Sequence, residues 1–415
     1  MKRQVTLKIN LRETKLYGLG EWKGRVNYPI NGMKIEIDHF STLGITFSSN
    51  YDIALNFSWN KIYENIKKRI SIMSNRYLNI FQRAIVINAV ISSKIWFTAH
   101  IYPLPLKYAI MINKEIFKFI WNHYNTNPIK REILNRGKCQ GGIGLLNIFY
   151  KAKSIFVNTL IKLFLKYNEN TLMKYYMAIR INSIFNIRLL PNTVSYKNTP
   201  YYEYAVDTIR RCVHHKDFPN VNSKVIYAII LPNIKARIEL LYPLYDWNNI
   251  WNNIGFKYIN IYDRPIIFKY VHEILPTYKR LYELRIRNNY LCDLCHVEDS
   301  NIHRFYYCMS VQECLSWLRK LIFYLCNMNI GSLIKILSMD LPMVNTKVKN
   351  TLCIIIVSYI STVWFNRDKM EYLIPNLKAK IIRDQKLKMM ILKDKAKNVF
   401  TENYCKSNIE FICTL

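Results

Sequence analysis

The 415-residue chain predicts a mainly α fold with a small β region at its N-terminus, and three observations predict it. Apolar and polar residues alternate only near the N-terminus, apolar residues recur at helical intervals from Trp59 onward, and cysteine gathers with histidine around residue 300. The expected order is a β segment, a helical bundle, a helical connector, a small zinc-binding module and a long C-terminal helix. A hydrophobic share of 51% is ample for packed cores and excludes a disordered chain.

In the β segment, Val5, Leu7 and Ile9 alternate with polar neighbours, as do Met33, Ile35 and Ile37, with a turn signal at Asn31-Gly32 between the two runs. From Trp59 the period changes. Ile62, Ile66, Ile70 and Met73 fall on one helical face, while Lys61, Lys67, Lys68 and Arg69 cluster away from it. A second helix, about 78–97, is apolar on most sides and is expected at the centre of a bundle. Pro103 and Pro105 interrupt the chain before a third helix carrying Ile112, Ile116, Phe119 and Ile120.

Gly137, Gly141, Gly142 and Gly144 form the densest glycine cluster. A phosphate cradle is the alternative to a tight turn, but the Gly-Lys-Ser/Thr signature is absent, so a tight turn is expected. Residues 150–250 read as helical, with breaks at 191–200 and near Pro219. A basic, aromatic helix with Phe268, Tyr270, Tyr278 and Lys279 precedes the cysteine cluster, and residues 346–400 read as one long helical stretch. The most apolar run, 351–365, is short for a membrane span and is interrupted by Ser358, Ser361 and Thr362, so a buried helix is expected and no membrane partner.

Cys292, Cys295, His303 and Cys308 stand in a Cys-x2-Cys-x7-His-x4-Cys spacing that can give one zinc ion four ligands. Two thiols separated by two residues can grip one ion from a single turn, and the histidine and last cysteine close the site. Four protein ligands leave no position for a reactive water, so the expected zinc is structural. Scattered cysteines are the alternative in a chain with ten of them, and His296 and Cys314 are spare candidates. Phe305, Tyr306 and Tyr307 are expected to pack beneath the metal. The remaining cysteines show no disulfide-like array, and Met1-Lys2-Arg3 leads into alternating polar residues rather than a secretory signal. Nucleus or cytoplasm is therefore expected, not secretion.

Lys and Arg number 60 against 28 Asp and Glu, a formal net charge of +32, which points to a polyanionic partner, RNA or DNA. A low-GC coding sequence would inflate Lys, but it should inflate Glu too, and acids are scarce. Affinity would come mainly from phosphate contacts and would fall steeply with salt.

In order along the chain, these landmarks resemble the C-terminal part of a non-LTR retrotransposon reverse transcriptase of the LINE or jockey type. Leu7-Lys8-Ile9-Asn10 followed by Lys15 resembles the palm segment after the catalytic aspartate pair, and Leu43-Gly44-Ile45 resembles the primer-grip turn. Residues 59–121, with Phe119-Ile120-Trp121, resemble the thumb and its continuation. Gly141-Gly142-Ile143-Gly144-Leu145 resembles a later Gly-Gly-Leu-Gly-Leu signature, and Cys292, Cys295, His303 and Cys308 match the zinc-binding module, with Trp317 behind it.

The resemblance implies a partial palm over 1–54, a helical thumb over 55–125, a helical connector over 126–255, the zinc-binding module over 256–330 and a C-terminal helical region over 331–415. Nucleotide addition uses carboxylates to hold two divalent metals, which the family places in an Asp-Asp turn, and this sequence contains no Asp-Asp pair. The implied chain is therefore related to RNA-directed DNA synthesis but inactive alone, with the missing palm and fingers as an implied partner and Mg2+ only in a complete polymerase. The resemblance puts Lys15 at the place of the family's general acid, but a surface lysine at a strand end is the preferred reading, because without the metals the acid has nothing to protonate.

Binding is what remains. Lys61, Lys67, Lys68 and Arg69 would follow the backbone of an A-form template-primer duplex, with a solvated charged face as the alternative. Arg280, Arg285, Arg287 and Arg304, with Tyr306 and Tyr307, would clamp single-stranded RNA or target DNA. Arg304 lies inside the ligand loop and is expected to be exposed. A domesticated zinc-containing RNA- or DNA-binding or scaffold protein is the other reading. No Ser/His/Asp order, His-Glu-x-x-His helix or Walker loop points to a different enzyme.

Overall fold

The computed structural model describes residues 14–18, 34–36, 39–122, 128–166, 200–213, 220–326, 333–341, 346–366, 369–393, 407, 409–412 and 414. The strand signals at Val5, Leu7, Ile9, Asn31-Gly32, Met33 and Ile37 lie outside them.

Four short strands open the described chain: β1 (Lys15–Tyr17), β2 (Lys34–Glu36), β3 (His39–Thr42) and β4 (Ile45–Ser48). Helices follow: α1 (Tyr51–Ser74), α2 (Ile80–Val86), a π-helical turn at Ile87–Ile91, α3 (Ser93–Ala99), α4 (Leu106–Ile120), α5 (Arg131–Leu134) and α6 (Ile148–Lys166). The succession continues with α7 (Pro200–Val213), α8 (Ser223–Ile230), α9 (Arg237–Leu241), α10 (Trp247–Ile254), α11 (Arg264–Val271) and α12 (Tyr278–Glu283). Last come α13 (Gln312–Cys326), α14 (Leu333–Leu337), α15 (Thr346–Asn366) and α16 (Leu373–Lys393). The protein is thus mainly helical, with its little β structure near the N-terminus. Two compact units emerge. One takes Met1–Arg76, Ile87–Phe119 and Asn147–Leu231, the other Tyr77–Val86, Ile120–Leu146 and Pro232–Leu415.

In the first unit, β1 pairs in parallel with β2, and β3 pairs antiparallel with β4. The hairpin turn is Leu43-Gly44, with φ of 50° and 81°, so both central residues are left-handed as the twist of a two-residue hairpin requires. Asn50 then caps α1, its Oδ1 accepting from the backbone N–H groups of Asp52 and Ile53 at 3.0 and 3.3 Å. Trp59, Ile66 and Ile70 form the buried face of α1. The Trp59 indole donates to the Pro103 carbonyl at 2.9 Å, and the Tyr102 hydroxyl donates to the Thr46 carbonyl at 2.9 Å. The proline break after α3 is therefore docked onto both α1 and the hairpin. A second core forms where Phe156, Val157, Leu160 and Ile161 of α6 meet Ala205 and Ile209 of α7 and Ile226 and Ile230 of α8.

The expected continuous helix over 78–97 is instead α2, the π turn and α3, with Ile85, Val90 and Phe97 exposed. A π turn shifts the hydrogen-bond ladder and leaves backbone carbonyls needing other donors. The Val90 carbonyl accepts from Arg69 Nη1 at 2.6 Å and from Ser93 Oγ at 2.9 Å.

In the second unit, the glycine cluster makes a turn closed on itself. The amides of Gly142, Ile143 and Gly144 donate to the carbonyls of Gly137, Leu134 and Arg136, so these three do not point at a phosphate. A Cβ on Gly141 would come within 2.7 Å of the Trp251 ring, and one on Gly142 within 2.0 Å of the Arg136 carbonyl oxygen. Glu239 holds the turn from beside it, accepting from Arg136 at 2.9 Å and from the Trp251 indole at 2.6 Å.

The expected single long C-terminal helix is a helical hairpin. Pro375 lacks an N–H and is tolerated in the first turn of α16, where it would break a continuous helix. Ser358 donates to Asp384 at 3.2 Å, while Thr362 and Asn366 lie beside Lys380 and Asn376, which makes α15 and α16 antiparallel. By length and composition alone, Val348–Asn366 could cross a membrane, but 72% of that window is buried in this fold. Within it, the Ser358 hydroxyl bonds to Asp384 of α16.

Candidate metal centre and its basic surroundings

The stretch that carries Cys292, Cys295, His303 and Cys308 begins as a tight hairpin. Leu291 and Glu298 form an antiparallel bridge, the Cys292 amide donates to the Val297 carbonyl at 2.7 Å, and the His296 amide donates to the Cys292 carbonyl at 2.9 Å. His296 adopts the left-handed φ of 56° that turns the chain back after Cys295. A π turn at His303–Tyr307 follows, closed by the Cys308 amide on the His303 carbonyl at 2.7 Å. The five-residue step brings His303 and Cys308 to the same side, facing the hairpin thiols.

The ligand atoms of Cys292, Cys295, His303 and Cys308 all lie within 4.8 Å of one another. Cys295 Sγ and Cys308 Sγ are 3.6 Å apart, close to the edge of about 3.8 Å expected of a tetrahedron with Zn–S bonds of about 2.3 Å. Cys292, His303 and Cys308 are buried and Cys295 half-buried. The Met309 amide points at Cys295 Sγ from 3.4 Å, and Ser310 Oγ lies 3.1 Å from Cys308 Sγ. Such outer donors orient thiolate ligands and offset their charge. The cluster can hold a metal ion, and its donor set is compatible with structural zinc. His296 and Cys314 stay outside it: the first is exposed, and the second is buried in α13.

Phe305, between His303 and Cys308, is fully buried, edge-on to Tyr270 at 4.9 Å, while its carbonyl accepts from the Tyr359 hydroxyl at 2.7 Å. Burial drives the hydroxyl pKa values of Tyr270 and Tyr359 up, so both remain neutral donors. Trp317 is also buried. Tyr307 departs from the expectation and is 59% exposed, because the π turn directs it away from the side that faces the core.

Arg304 is the clearest correction. Its place in the ligand loop predicts exposure, but it is buried and forms a two-pronged pair with the fully buried Asp299. Asp299 also accepts from the Tyr278 amide at 3.0 Å, and the Arg304 guanidinium lies 5.1 Å from the Tyr278 ring and 5.0 Å from the Trp364 ring. The pair braces the ligand loop against the start of α12. The remaining arginines are partly committed as well. Arg287 stacks on the Tyr278 ring at 3.5 Å and donates to Asp293 at 2.9 Å, inside the Cys-x2-Cys turn. The Tyr278 hydroxyl donates to the same carboxylate at 2.8 Å, the main cause of its raised pKa. Arg280 pairs with Glu283 at 3.0 Å, whereas Arg285 is exposed in a left-handed turn at φ 58°.

On α1, Lys61, Lys67 and Lys68 are exposed, and Lys67 lies 3.7 Å from Glu64. Arg69 is half-buried and bound to the π turn. Lys15 pairs in register with Lys34, while its side chain lies outside the described residues, as does the Leu7-Lys8-Ile9-Asn10 motif.

Sequence reasoning missed Asp293, Asp299, Tyr278 and Ser310 as the support of the centre. Asp299 carried a signal, an acid five residues before an arginine within the ligand loop, but a short-range pair of that kind is indistinguishable from two solvated charges until burial is known. No protein-family model matches the sequence, and no curated protein is significantly similar to it.

Proposed function

We propose that this chain is the C-terminal part of a retrotransposon-type RNA-directed DNA polymerase that binds template RNA or target DNA and does not polymerise by itself. In this reading the strand pairs near the N-terminus are a palm remnant, α1 to α4 a thumb, and residues 292–308 a structural zinc module. The observation that carries it is the excess of 60 Lys and Arg over 28 Asp and Glu, with Lys61, Lys67 and Lys68 exposed along one helix. A surface of this kind holds phosphates by releasing counterions. The absence of an Asp-Asp pair supports the lack of intrinsic polymerase activity.

The test is binding of the full chain to RNA and DNA across a salt series, with primer extension in Mg2+ beside it. Binding that falls linearly in log-log form with salt is expected, with no primer extension. Absence of binding overturns the nucleic-acid reading, and primer extension overturns the claim that the chain is inert alone. Selection of one RNA over matched competitors would move the reading to a domesticated zinc-containing binding protein.

A further inference from the structure

Beside the metal centre, within the second unit, an open cavity of about 620 Å³ is lined by residues of the α9–α10 segment, the end of α11 and the ligand loop. Its volume is in the range of sites that enclose a small planar ligand. Tyr242, Tyr245 and Trp247 form one wall, with the Tyr242 and Tyr245 rings 6.0 Å apart at 88° and the Tyr245 and Trp247 rings 6.1 Å apart at 52°. Tyr245 and Trp247 are half-buried, so their rings are fixed by the fold while part of their surface remains open. The Trp247 indole is held by its bond to the Tyr242 carbonyl at 2.8 Å.

Charge selects the occupant. Four cations and three carboxylates line the cavity. Lys279 pairs with Glu298 at 2.8 Å, Arg280 pairs with Glu283 at 3.0 Å, and Glu273 accepts from the Tyr242 hydroxyl at 3.1 Å. Lys130 and Arg237 are exposed and have no carboxylate partner among the described residues. An aromatic wall with two uncommitted cations suits a ligand that has both a π face and a negative charge. A nucleotide has both, and only an unpaired one exposes its base face for stacking.

We infer that this cavity holds an unpaired nucleotide of a single-stranded nucleic acid, its base against Tyr245 and Trp247 and its phosphates toward Lys130 and Arg237. The inference rests on the nucleic-acid reading above and names the form of nucleic acid recognised beside the metal centre. It also gives that centre a role in binding, because a braced ligand loop, whose Asn301 and Tyr306 line the cavity, keeps the site open.

The experiment measures anisotropy of fluorescein-labelled single-stranded RNA and DNA, and of a blunt hairpin duplex of matched composition, with the zinc-loaded full chain. Tyr245→Ala is expected to weaken single-strand binding about tenfold or more while leaving duplex affinity unchanged. Tyr245→Phe should restore it, since the ring supplies the stacking. Arg237→Glu, at an exposed position that does not endanger folding, should weaken single-strand binding and lower its salt slope by about one. A single strand carrying 4-thiouridine should crosslink within residues 242–247 on irradiation. Wild-type single-strand affinity in both Tyr245→Ala and Arg237→Glu overturns the cavity inference and leaves the charge-based reading standing. Equal loss of single-strand and duplex binding in Tyr245→Ala overturns it too. A wild-type chain that binds no nucleic acid overturns both.

Discussion

Along α1, Lys61, Lys67 and Lys68 stand in solvent on a helix whose other face is buried, and Lys67 has Glu64 at 3.7 Å as a loose neighbour. Around the metal centre, Arg280, Arg287 and Arg304 each reach a carboxylate, and Arg304 does so in the interior. The two regions look alike in sequence, each a cluster of cations among aromatic and apolar residues. In the fold they differ in kind: the α1 lysines remain available to a polyanion, while the arginines near the Cys3His cluster largely hold its loop together. A count of basic residues therefore overstates the binding surface of the second region and describes the first more faithfully.

Removing the metal ligands separates the regions most sharply. Cys292→Ser or His303→Ala should abolish retention of about one zinc per chain by metal analysis and loosen residues 291–308 to hydrogen exchange, because metal affinity in such modules is folding energy. Amide protection in α1 should be unchanged. Zinc retained at full stoichiometry in both variants would show that these residues do not hold it.

Arg304→Ala should cost about 3–5 kcal/mol in denaturant unfolding, since it strands the buried Asp299 carboxylate. Alanine at Lys61, Lys67 and Lys68 should each change stability by less than about 0.5 kcal/mol. A stability loss of similar size on α1 would erase the contrast.

His272 tests the second unit by pH. Its ring stacks on Trp251 at 5.1 Å, and Nε2 donates to the Gly141 carbonyl at 2.8 Å. Burial pushes its pKa down to about 4, below the ordinary value of 6.5. The unfolded chain therefore takes up the proton first: stability is fully present above pH 6.5 and is lost as pH falls from there toward 4, by roughly 3 kcal/mol. His272→Gln should flatten that part of the profile in urea titrations at stepped pH.

The smallest expected effect is electrostatic. Replacing Lys61, Lys67 and Lys68 together with alanine should lower the salt slope of duplex binding by about two to three, at about 0.9 for each phosphate no longer neutralised. The corresponding change for Arg287→Ala should be near zero, because Asp293 already holds that guanidinium at 2.9 Å. A larger slope change at Arg287 than on α1 would reverse the assignment of roles.

Several elements were legible before the structure. The apolar spacing of Ile66 and Ile70 marked the buried face of α1, and the four-ligand spacing marked residues that do converge. Each depends on neighbours a few residues away or on a strict periodicity. The break after Val86 and the restart at Leu373 were harder to see, because a run of helix-period residues reads as continuous even where a π turn or a proline in a first turn divides it. The aromatic cavity was invisible, since Tyr245, Tyr306 and Lys130 come together from segments far apart in the chain.

By itself, the sequence determined the helical character of the chain, its positive charge and the Cys3His set that can hold a metal ion, because composition, period and spacing are local properties. The tertiary structure alone decided which cations are free. Lys380 reaches Asp263 across 117 positions at 2.7 Å, and Arg69 reaches the Val90 carbonyl across 21 at 2.6 Å. A charged side chain is available to a partner when the fold brings it no close carboxylate or carbonyl in the interior, and burial sets how strongly such an internal bond is held.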